Sequence, residues 1–435
     1  MSKNNLSFSI YNVSLIILIF ISSFIFIDQI RAYVLSNYIN DITLQYINVF
    51  AIVCLFLIFF RAISNGTYNL FILIVWLLCL MFSLITLWST ASGSGAIMIV
   101  LFCYLFPLLI IGNKINKYEF VKIYNVCLNL LNILVVILLI TGVYDYLTKG
   151  SFQQFLINFN FFNERSQEII NLNLLEGTYR YFSFIGHPLR LAQIFLTFFI
   201  LNSIFNKYFY IKLNPLIISI VTLFGVTLSN SKAGVLLAII LILFFNSSRS
   251  KKEKRFYWII SFIALLVIIN TQFFSSTVLE RVTNSSNLDG GRTELLISLL
   301  TGEIERPFLS GGGLNYSTEV KATSSSGATS FEYPLLMFSY DLGLLSTFFM
   351  YLIIMIYPIV KLLLHRNYYL LGLFIILTLD VNSYNGLTNL GDFIIQFSFV
   401  IFIILNVNEY ITEKEFKNYY KIRWNKKKNN KGAIN

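Results

Sequence analysis

The chain has 435 residues, of which 57% are hydrophobic and only 12% are charged, and its formal net charge is +11. A soluble domain normally has charges on about a quarter of its residues, so this composition excludes a soluble globular protein. The apolar runs are continuous and do not alternate with polar residues, which also excludes a transmembrane β-barrel.

Apolar runs of about 20 residues recur along the whole chain, and each is long enough to cross a bilayer core of roughly 30 Å as a helix. We therefore predict an all-α polytopic membrane protein of about twelve transmembrane helices. No small-residue cleavage site follows the first run, which predicts a retained span and not a signal peptide. The predicted spans are 8–27, 42–60, 68–88, 95–112, 122–142, 184–205, 213–228, 233–246, 256–272, 335–360, 368–386 and 392–409.

Lysine and arginine indicate the orientation, because cytoplasmic loops are enriched in both. With the N-terminus inside, about 22 of the 32 Lys and Arg fall on the inner side. This predicts one integral membrane domain over 1–435, with both termini in the cytoplasm. The basic cytoplasmic tail, 410–435, is expected to rest on anionic membrane lipids. No folded nucleic-acid module accompanies the tail, so no nucleic-acid partner is expected.

Two long segments are then external: a smaller one, 143–183, and a large loop, 273–334. Long loops usually have a function or are disordered. Within the large loop, "LDGGRTELLISLLTGEIERPFL" predicts a short amphipathic helix with Asp289 as its N-cap. A glycine-rich turn, "SGGGLNY", follows this helix.

Because Lys and Arg are enriched on the cytoplasmic side, the few cations on the outer side are candidates for function. Arg180, His187 and Arg190 lie before or within the sixth span, and Pro188 suits the first turn of a helix there. A shared helical face would bring the three side chains together. The structural alternative is an interfacial histidine with arginines that extend towards lipid headgroups, and for Arg190 the two interpretations are equally supported.

Two further cations are predicted to lie on the same surface. Lys232 follows a tight hairpin, "TLSNSKAGVLL", whose residues also suit an ordinary turn. Arg292 follows two glycines at the predicted helix start, where backbone N–H groups and a guanidinium can surround an anion. Several cations at a membrane surface indicate a phosphorylated lipid as ligand.

Acidic residues also lie near the outer ends of late spans. They are Glu332, Asp341, Asp380 and Asp392. The sequence has no DxD, HExxH, P-loop or GxSxG motif, so neither a metal nor another cofactor is expected. The four cysteines lie in or beside predicted spans, as small apolar side chains do. They are Cys54, Cys79, Cys103 and Cys127.

Four stretches together resemble the bacterial family of O-antigen ligases and O-antigen or capsular polysaccharide polymerases. In the family's order, these stretches are "RYFSFIGHPLRLAQIF", "TLSNSKAGVLLAI", "GGRTELLISLL…ERPFLSGGGLNY" and "FEYPLLMFSYDLGLLS". They extend from about 176 to 346. Lys232 stands where the family has an arginine, and Glu332 stands where it has a histidine that is prominent among the ligases.

The resemblance implies a metal-independent inverting glycosyltransferase at the outer face of the cytoplasmic membrane. Its donor would be an oligosaccharide repeat unit on undecaprenyl pyrophosphate, and its partners would include a chain-length regulator and a flippase. The cations that would bind the pyrophosphate are Arg180, Arg190, Lys232 and Arg292, and the candidate general bases are Glu332 and His187. The favoured activity is a polymerase that transfers the growing glycan to the next lipid-linked unit. The alternatives are a ligase that uses another acceptor and a flippase or transporter of lipid-linked oligosaccharide.

Overall fold

The structure is a computed structural model, and the residues that it describes are helical or irregular, with a single isolated β-bridge between Tyr68 and Asn113. The described residues are 3–36, 38–39, 45–162, 164–175, 179–246, 252, 255–259, 262, 292–305, 307, 309–323, 333–388 and 390–431.

The described part of the first half of the chain is mostly helical, and most of its helices are apolar. It has a π-helical turn at Ile21–Ile25 and a helix that continues through π and 3-10 turns to Gly112. The helices are α1 (Lys3–Phe20), α2 (Asp28–Leu35), α3 (Val49–Ser64), α4 (Leu70–Ser89), α5 (Ser94–Ile99), α6 (Lys117–Leu147), α7 (Ser151–Asn158), α8 (Glu164–Leu175), α9 (Pro188–Tyr208), α10 (Pro215–Leu228) and α11 (Lys232–Phe245).

The second half has short helices before and after a second group of apolar ones. These helices are α12 (Arg292–Thr301), α13 (Tyr316–Ala322), α14 (Pro334–Asp341), α15 (Leu344–Tyr351), α16 (Tyr357–Leu364), α17 (Tyr368–Asn382) and α18 (Phe393–Lys431). A π-helical turn joins α15 to α16, so the two form one apolar element of 21 residues.

Helix α9 lies at the centre of the bundle. Its apolar window is 94% buried, against 39% for α4 and α6, and it packs against α6, α10, α11, α17 and α18. The peripheral helices keep exposed apolar side chains such as Ile74, Ile133 and Phe224, which suit a lipid environment. The structure therefore shows an all-helical bundle compatible with a multi-pass membrane protein.

Within the residues that the structure describes, six helical elements are long and apolar enough to cross a membrane, or seven if the bent pair at the N-terminus is one span. Each predicted span except 256–272, which lies mostly outside the described residues, overlaps one or more of the helices α1 to α18. Helices α10 and α11 have 14 residues each. At about 1.5 Å per residue they reach only about 21 Å, less than a bilayer core of roughly 30 Å. The count of about twelve spans therefore remains a prediction.

Two predicted spans are broken. The first was predicted as one helix over 8–27, but the chain bends by 78° after Ile25 and continues as α2. The predicted span 335–360 is interrupted at Gly343, whose φ of +88° favours glycine. A Cβ at Gly343 would also overlap the carbonyl oxygen of Leu309, because the glycine-rich turn of the large loop packs there.

Helices α1 and α18 run antiparallel, which places both termini of the helical bundle at the same end. Phe20 and Phe24 pack against Phe399, and Asp28 lies beside Asp392. We call the end that contains Asp28 and Asp392 the network end. At the opposite end, Asn113 accepts a hydrogen bond from Asn406 through its carbonyl oxygen.

Candidate functional site

A buried charged network lies at the network end, where the first apolar helix is broken. Four charged side chains form it, and none is more than 6% exposed. They are Asp28, Arg31, Arg190 and Asp392. Two ion pairs organise the network: Arg31 contacts Asp392 at 2.7 Å, and Arg190 contacts Asp28. Because burial of a lone charge is costly, the balance of two cations and two anions explains how the network is tolerated there.

Arg31 stabilises the break in the first helix. Its Nη1 donates to the carbonyl oxygens of Ser22 at 2.9 Å and Phe26 at 2.8 Å, both of which the break leaves without helical partners. Asn48 donates to the same Ser22 oxygen at 3.0 Å. Backbone groups inside a membrane must find partners within the protein, so these side chains make the bend possible.

The two carboxylates join three helix starts. Asp392 Oδ2 accepts the backbone N–H of Asp28 at 3.0 Å, and Asp28 Oδ2 accepts that of Asp392 at 3.3 Å. Asp28 begins α2, Asp392 precedes α18, and Arg190 lies in the first turn of α9. The positive ends of three helix dipoles therefore converge at the network.

Arg190 is only partly satisfied by these contacts. Its Nη1 donates to Asp28, and its guanidinium carbon lies 4.2 Å from the centre of the Phe393 ring. Its Nε and Nη2 atoms are buried and have no hydrogen-bond partner among the described residues. Arg190 therefore does not extend to the lipid headgroups, and the donor capacity of its Nε and Nη2 atoms is not used by the described residues.

His187 lies one turn before Arg190 and caps α9 without a side-chain hydrogen bond. Its ring stacks on Tyr384, with 6.3 Å between ring centres, and its Nδ1 has no hydrogen-bond partner among the described residues. Burial, together with the nearby charges of Arg180 and Arg190, lowers the pKa of His187 to about 4. The imidazole is therefore neutral at pH 7.

Arg180 lies in a segment that is fixed from two sides. On one side, Asp145 accepts hydrogen bonds from Tyr179 at 2.7 Å and from the side chain of Gln153 at 2.9 Å. On the other side, the backbone of Tyr181 donates to Leu228 at 3.1 Å, and Asn230 donates to Tyr179 at 3.2 Å. Arg180 is thus half-buried beside the hairpin that leads into α11.

Lys232 is the first residue of α11, directly after that hairpin, and it is exposed. Ser231 caps the helix by accepting the N–H of Gly234 at 3.1 Å. The structure thus brings together the segments that contain Arg180, His187, Arg190 and Lys232, although more than 40 residues separate the first from the last.

The large loop supplies a layer over the same end of the bundle. Leu295 of α12 packs with Ile304, Val320 and Tyr340, and Asp341 accepts the N–H of Ser317 at 2.8 Å. Thr388 contacts Met337 and thereby joins this layer to the segment that contains Tyr384.

The remaining predicted residues of the large loop are described only in part. Arg292 begins α12, as the glycine-arginine pattern predicted, but its side chain is not among those described. Glu332 and the predicted N-cap Asp289 lie outside the described residues. Their assignments stay predictions.

One further acid and the cysteines can be placed as well. Asp380 is buried near the end of α17, and its Oδ2 has no hydrogen-bond partner among the described residues. The four cysteines are free and buried. In the part of the chain that the structure describes, no three His, Cys, Asp or Glu side chains are grouped so that they could hold a metal ion.

Sequence reasoning missed Asp28 and the pairing of the network. Of the four network residues, it noted Arg190 as a candidate and Asp392 only as an acid near a span end. The available signal was the spacing in "IDQIR", which places an acid and a base one helical turn apart at the end of an apolar run. The partners on α9 and α18 are distant in sequence, and nothing local indicates them.

The pKa of His187 gives a pH prediction. A histidine has an ordinary pKa of 6.5, against about 4 here, so the unfolded chain binds more protons between these values. Stability that is fully present above pH 6.5 should therefore fall as the pH falls towards 4. Melting temperatures of wild type and His187→Gln, measured from pH 4 to 7, test this. The melting temperature of the variant should fall less steeply with decreasing pH than that of wild type. Equal slopes would contradict the assigned burial.

Searches for similar proteins do not identify a family. No protein-family model, no curated protein and no solved structure matches the chain.

Proposed function

We propose that the protein is a polysaccharide polymerase of the cytoplasmic membrane. It transfers a growing glycan from undecaprenyl pyrophosphate to the next lipid-linked repeat unit, at the outer face and without a metal ion. In this proposal about twelve spans cross the membrane, both termini are cytoplasmic, and the network end faces outward. The support comes from the ordered sequence motifs and from the position of the cations in the fold.

One observation carries the proposal. The arginine-containing segment 179–190 and the hairpin before Lys232, which are two of the four motifs of the resemblance, are in contact at the network end. The same end holds the unpartnered N–H groups of Arg190. These groups provide several positive charges at one end of an apolar bundle, where a lipid-linked anion leaves the bilayer.

The chemistry of the transfer suits these residues. The acceptor hydroxyl attacks the anomeric carbon, the bond to the pyrophosphate oxygen breaks, and undecaprenyl pyrophosphate leaves with the bonding electrons. A pyrophosphate leaving group needs charge stabilisation more than protonation, and Arg180, Arg190, Lys232 and Arg292 are assigned to this role. The acceptor's proton goes to a general base. The candidates for this base are Glu332 and His187, whose neutral imidazole can accept a proton.

The two alternatives fit less well. A flippase is expected to bind its substrate near the middle of the membrane, often at broken helices. The charged network also lies at a broken helix, but it is at the starts of α2, α9 and α18, at one end of the bundle and not near its middle. A ligase would use another acceptor, and the family histidine that is prominent among ligases is replaced by Glu332 in this chain.

The proposal is tested by incubating the purified protein with a lipid-linked repeat unit and separating the products on a gel. A polymerase gives a ladder of lengths that differ by one repeat unit. The ladder should also form in EDTA. A single product on a different acceptor would favour the ligase, and no product under any of these conditions would contradict the proposal.

Arg180 offers a direct test of the pyrophosphate assignment. Arg180→Ala should lose most of the activity, by about tenfold or more if one charge-assisted hydrogen bond of roughly 1.5–3 kcal/mol is removed. Arg180→Lys should rescue poorly, because an ammonium cannot form the two parallel bonds of a guanidinium. Arg292→Ala should behave in the same way. Near-normal turnover in both alanine variants, measured on folded protein, would refute the assignment.

A further inference from the structure

The carboxylate of Asp28 is the contact that determines how Arg190 is presented. Of the guanidinium nitrogens, Nη1 donates to Asp28, whereas Nε and Nη2 have no hydrogen-bond partner in the described parts of the chain. Arg190 is 2% exposed, and the Phe393 ring lies 4.2 Å from its guanidinium carbon. The guanidinium is thus held by one edge and one face, and its remaining edge has no partner among the described residues.

Asp28 is itself held by several donors. Its Oδ1 accepts the N–H of Gln29 at 2.9 Å as well as Arg190, and its Oδ2 accepts the N–H of Asp392 at 3.3 Å. Gly391 leaves room for this carboxylate, since a Cβ there would overlap Asp28 Oδ2. The backbone of two helix starts therefore fixes the carboxylate, and the carboxylate in turn fixes Arg190.

Helix α2 also connects this pair to the segment before α9. It packs against the 3-10 turn Ser183–Ile185, and Gln29 donates to the carbonyl oxygen of Phe161 at 2.8 Å. His187 follows that turn by two residues. The break in the first helix thus places Asp28 under the first turn of α9, next to the residues that are assigned to the donor.

We propose that Asp28 is a positioning residue for the donor pyrophosphate. It holds Arg190 through Nη1, so that the Nε and Nη2 atoms of Arg190 can bind the anion. This inference rests on the proposed function. It assigns Asp28 no contact with the substrate and no proton transfer.

Removal of the Asp28 carboxylate has two opposing effects on anion binding, so whether binding becomes tighter or weaker shows which effect dominates. Removal of the Asp28 charge makes the site more positive, which by itself would tighten the binding of an anion. Loss of the Nη1 contact lets the guanidinium rotate, which would weaken two-point binding because that geometry is specific. If Asp28 acts by positioning, the second effect exceeds the first, and the removal of a carboxylate weakens anion binding.

The test measures binding, not turnover. The purified protein is titrated with undecaprenyl pyrophosphate, and the shift in melting temperature is recorded for wild type, Asp28→Ala, Arg190→Ala and the double variant. Asp28→Asn is included because it keeps the shape of the side chain. An asparagine has one acceptor oxygen, so it cannot serve both Arg190 and the Asp392 N–H. Glu409→Gln, in an ion pair at the opposite end, is the matched control.

We expect wild type and Glu409→Gln to bind alike. Asp28→Ala should bind about tenfold more weakly, which corresponds to about 1.4 kcal/mol, and Asp28→Asn should be intermediate. In the Arg190→Ala background, the loss of Asp28 should change the affinity no further. Unchanged or tighter binding by folded Asp28→Ala or Asp28→Asn would overturn the positioning role. Independent, additive losses would also overturn it. If wild type itself does not bind undecaprenyl pyrophosphate, the proposed function fails, and this inference fails with it.

Discussion

Replacement of Asp392 with alanine should destabilise the protein by about 3–5 kcal/mol, which is the cost of breaking a buried ion pair and leaving one charge alone. Arg31 would lose both of its bonds to this carboxylate, at 2.7 Å and 3.1 Å. Asn48 would lose its bond at 2.8 Å. Because Arg31 and Asn48 also hold the broken first helix, the loss should extend to α1 and α2.

Thermal unfolding in detergent measures this effect, and the control is Glu409→Ala. Glu409 pairs with Lys114 at 3.4 Å, but its side chain is 33% exposed and that of Lys114 is 49% exposed. An exposed pair contributes about 1 kcal/mol or less, so the control should be nearly as stable as wild type. Similar losses for Asp392→Ala and Glu409→Ala would show that the network does not stabilise the fold as described.

Glu332→Gln should reduce turnover by about 10²–10⁴-fold if Glu332 is the general base, because the amide cannot accept the proton of the acceptor hydroxyl. Donor binding should stay intact, since the substitution removes no cation from the pyrophosphate site. The rates of ladder formation and the affinity for undecaprenyl pyrophosphate, measured on the same preparation, separate the two properties.

The rival role of Glu332 is an ion pair with a cation of the large loop, such as Arg281 or Arg306. A structural pair predicts lower stability with normal turnover in the fraction that stays folded. If Glu332→Gln keeps more than a few per cent of the wild-type rate, a threshold set by the roughly 10²-fold lower bound for general-base catalysis, the base is elsewhere. In that case His187→Ala should show the large loss of turnover.

The fold class could be predicted from the sequence because apolar length determines it. Runs such as 68–88 and 392–409 predict helices that the structure contains as α4 and the first half of α18. The breaks were not predicted, since hydropathy is insensitive to them. The first run stays apolar through Ile27, yet the helix ends at Ile25 because Arg31 and Asn48 provide partners for the freed carbonyl groups.

The candidate site was predicted only in part, because several of its contacts join residues that are far apart in the sequence. Arg180, His187 and Arg190 were found because they lie close together in one motif. Asp28 was missed because its partners lie 162 and 364 residues away. Pairing over such distances depends on helix packing, and no local pattern encodes it.

Glycan transfer by the proposed mechanism releases the lipid pyrophosphate, so the decisive measurement is the number of undecaprenyl pyrophosphate molecules released per linkage. The protein is reconstituted in liposomes with a lipid-linked repeat unit, and both the new glycosidic bonds and the free undecaprenyl pyrophosphate are counted. We expect one undecaprenyl pyrophosphate for each bond, with the lengthened glycan still attached to lipid. Movement of intact lipid-linked units across the bilayer, with no pyrophosphate released, would contradict the proposed mechanism and indicate a flippase.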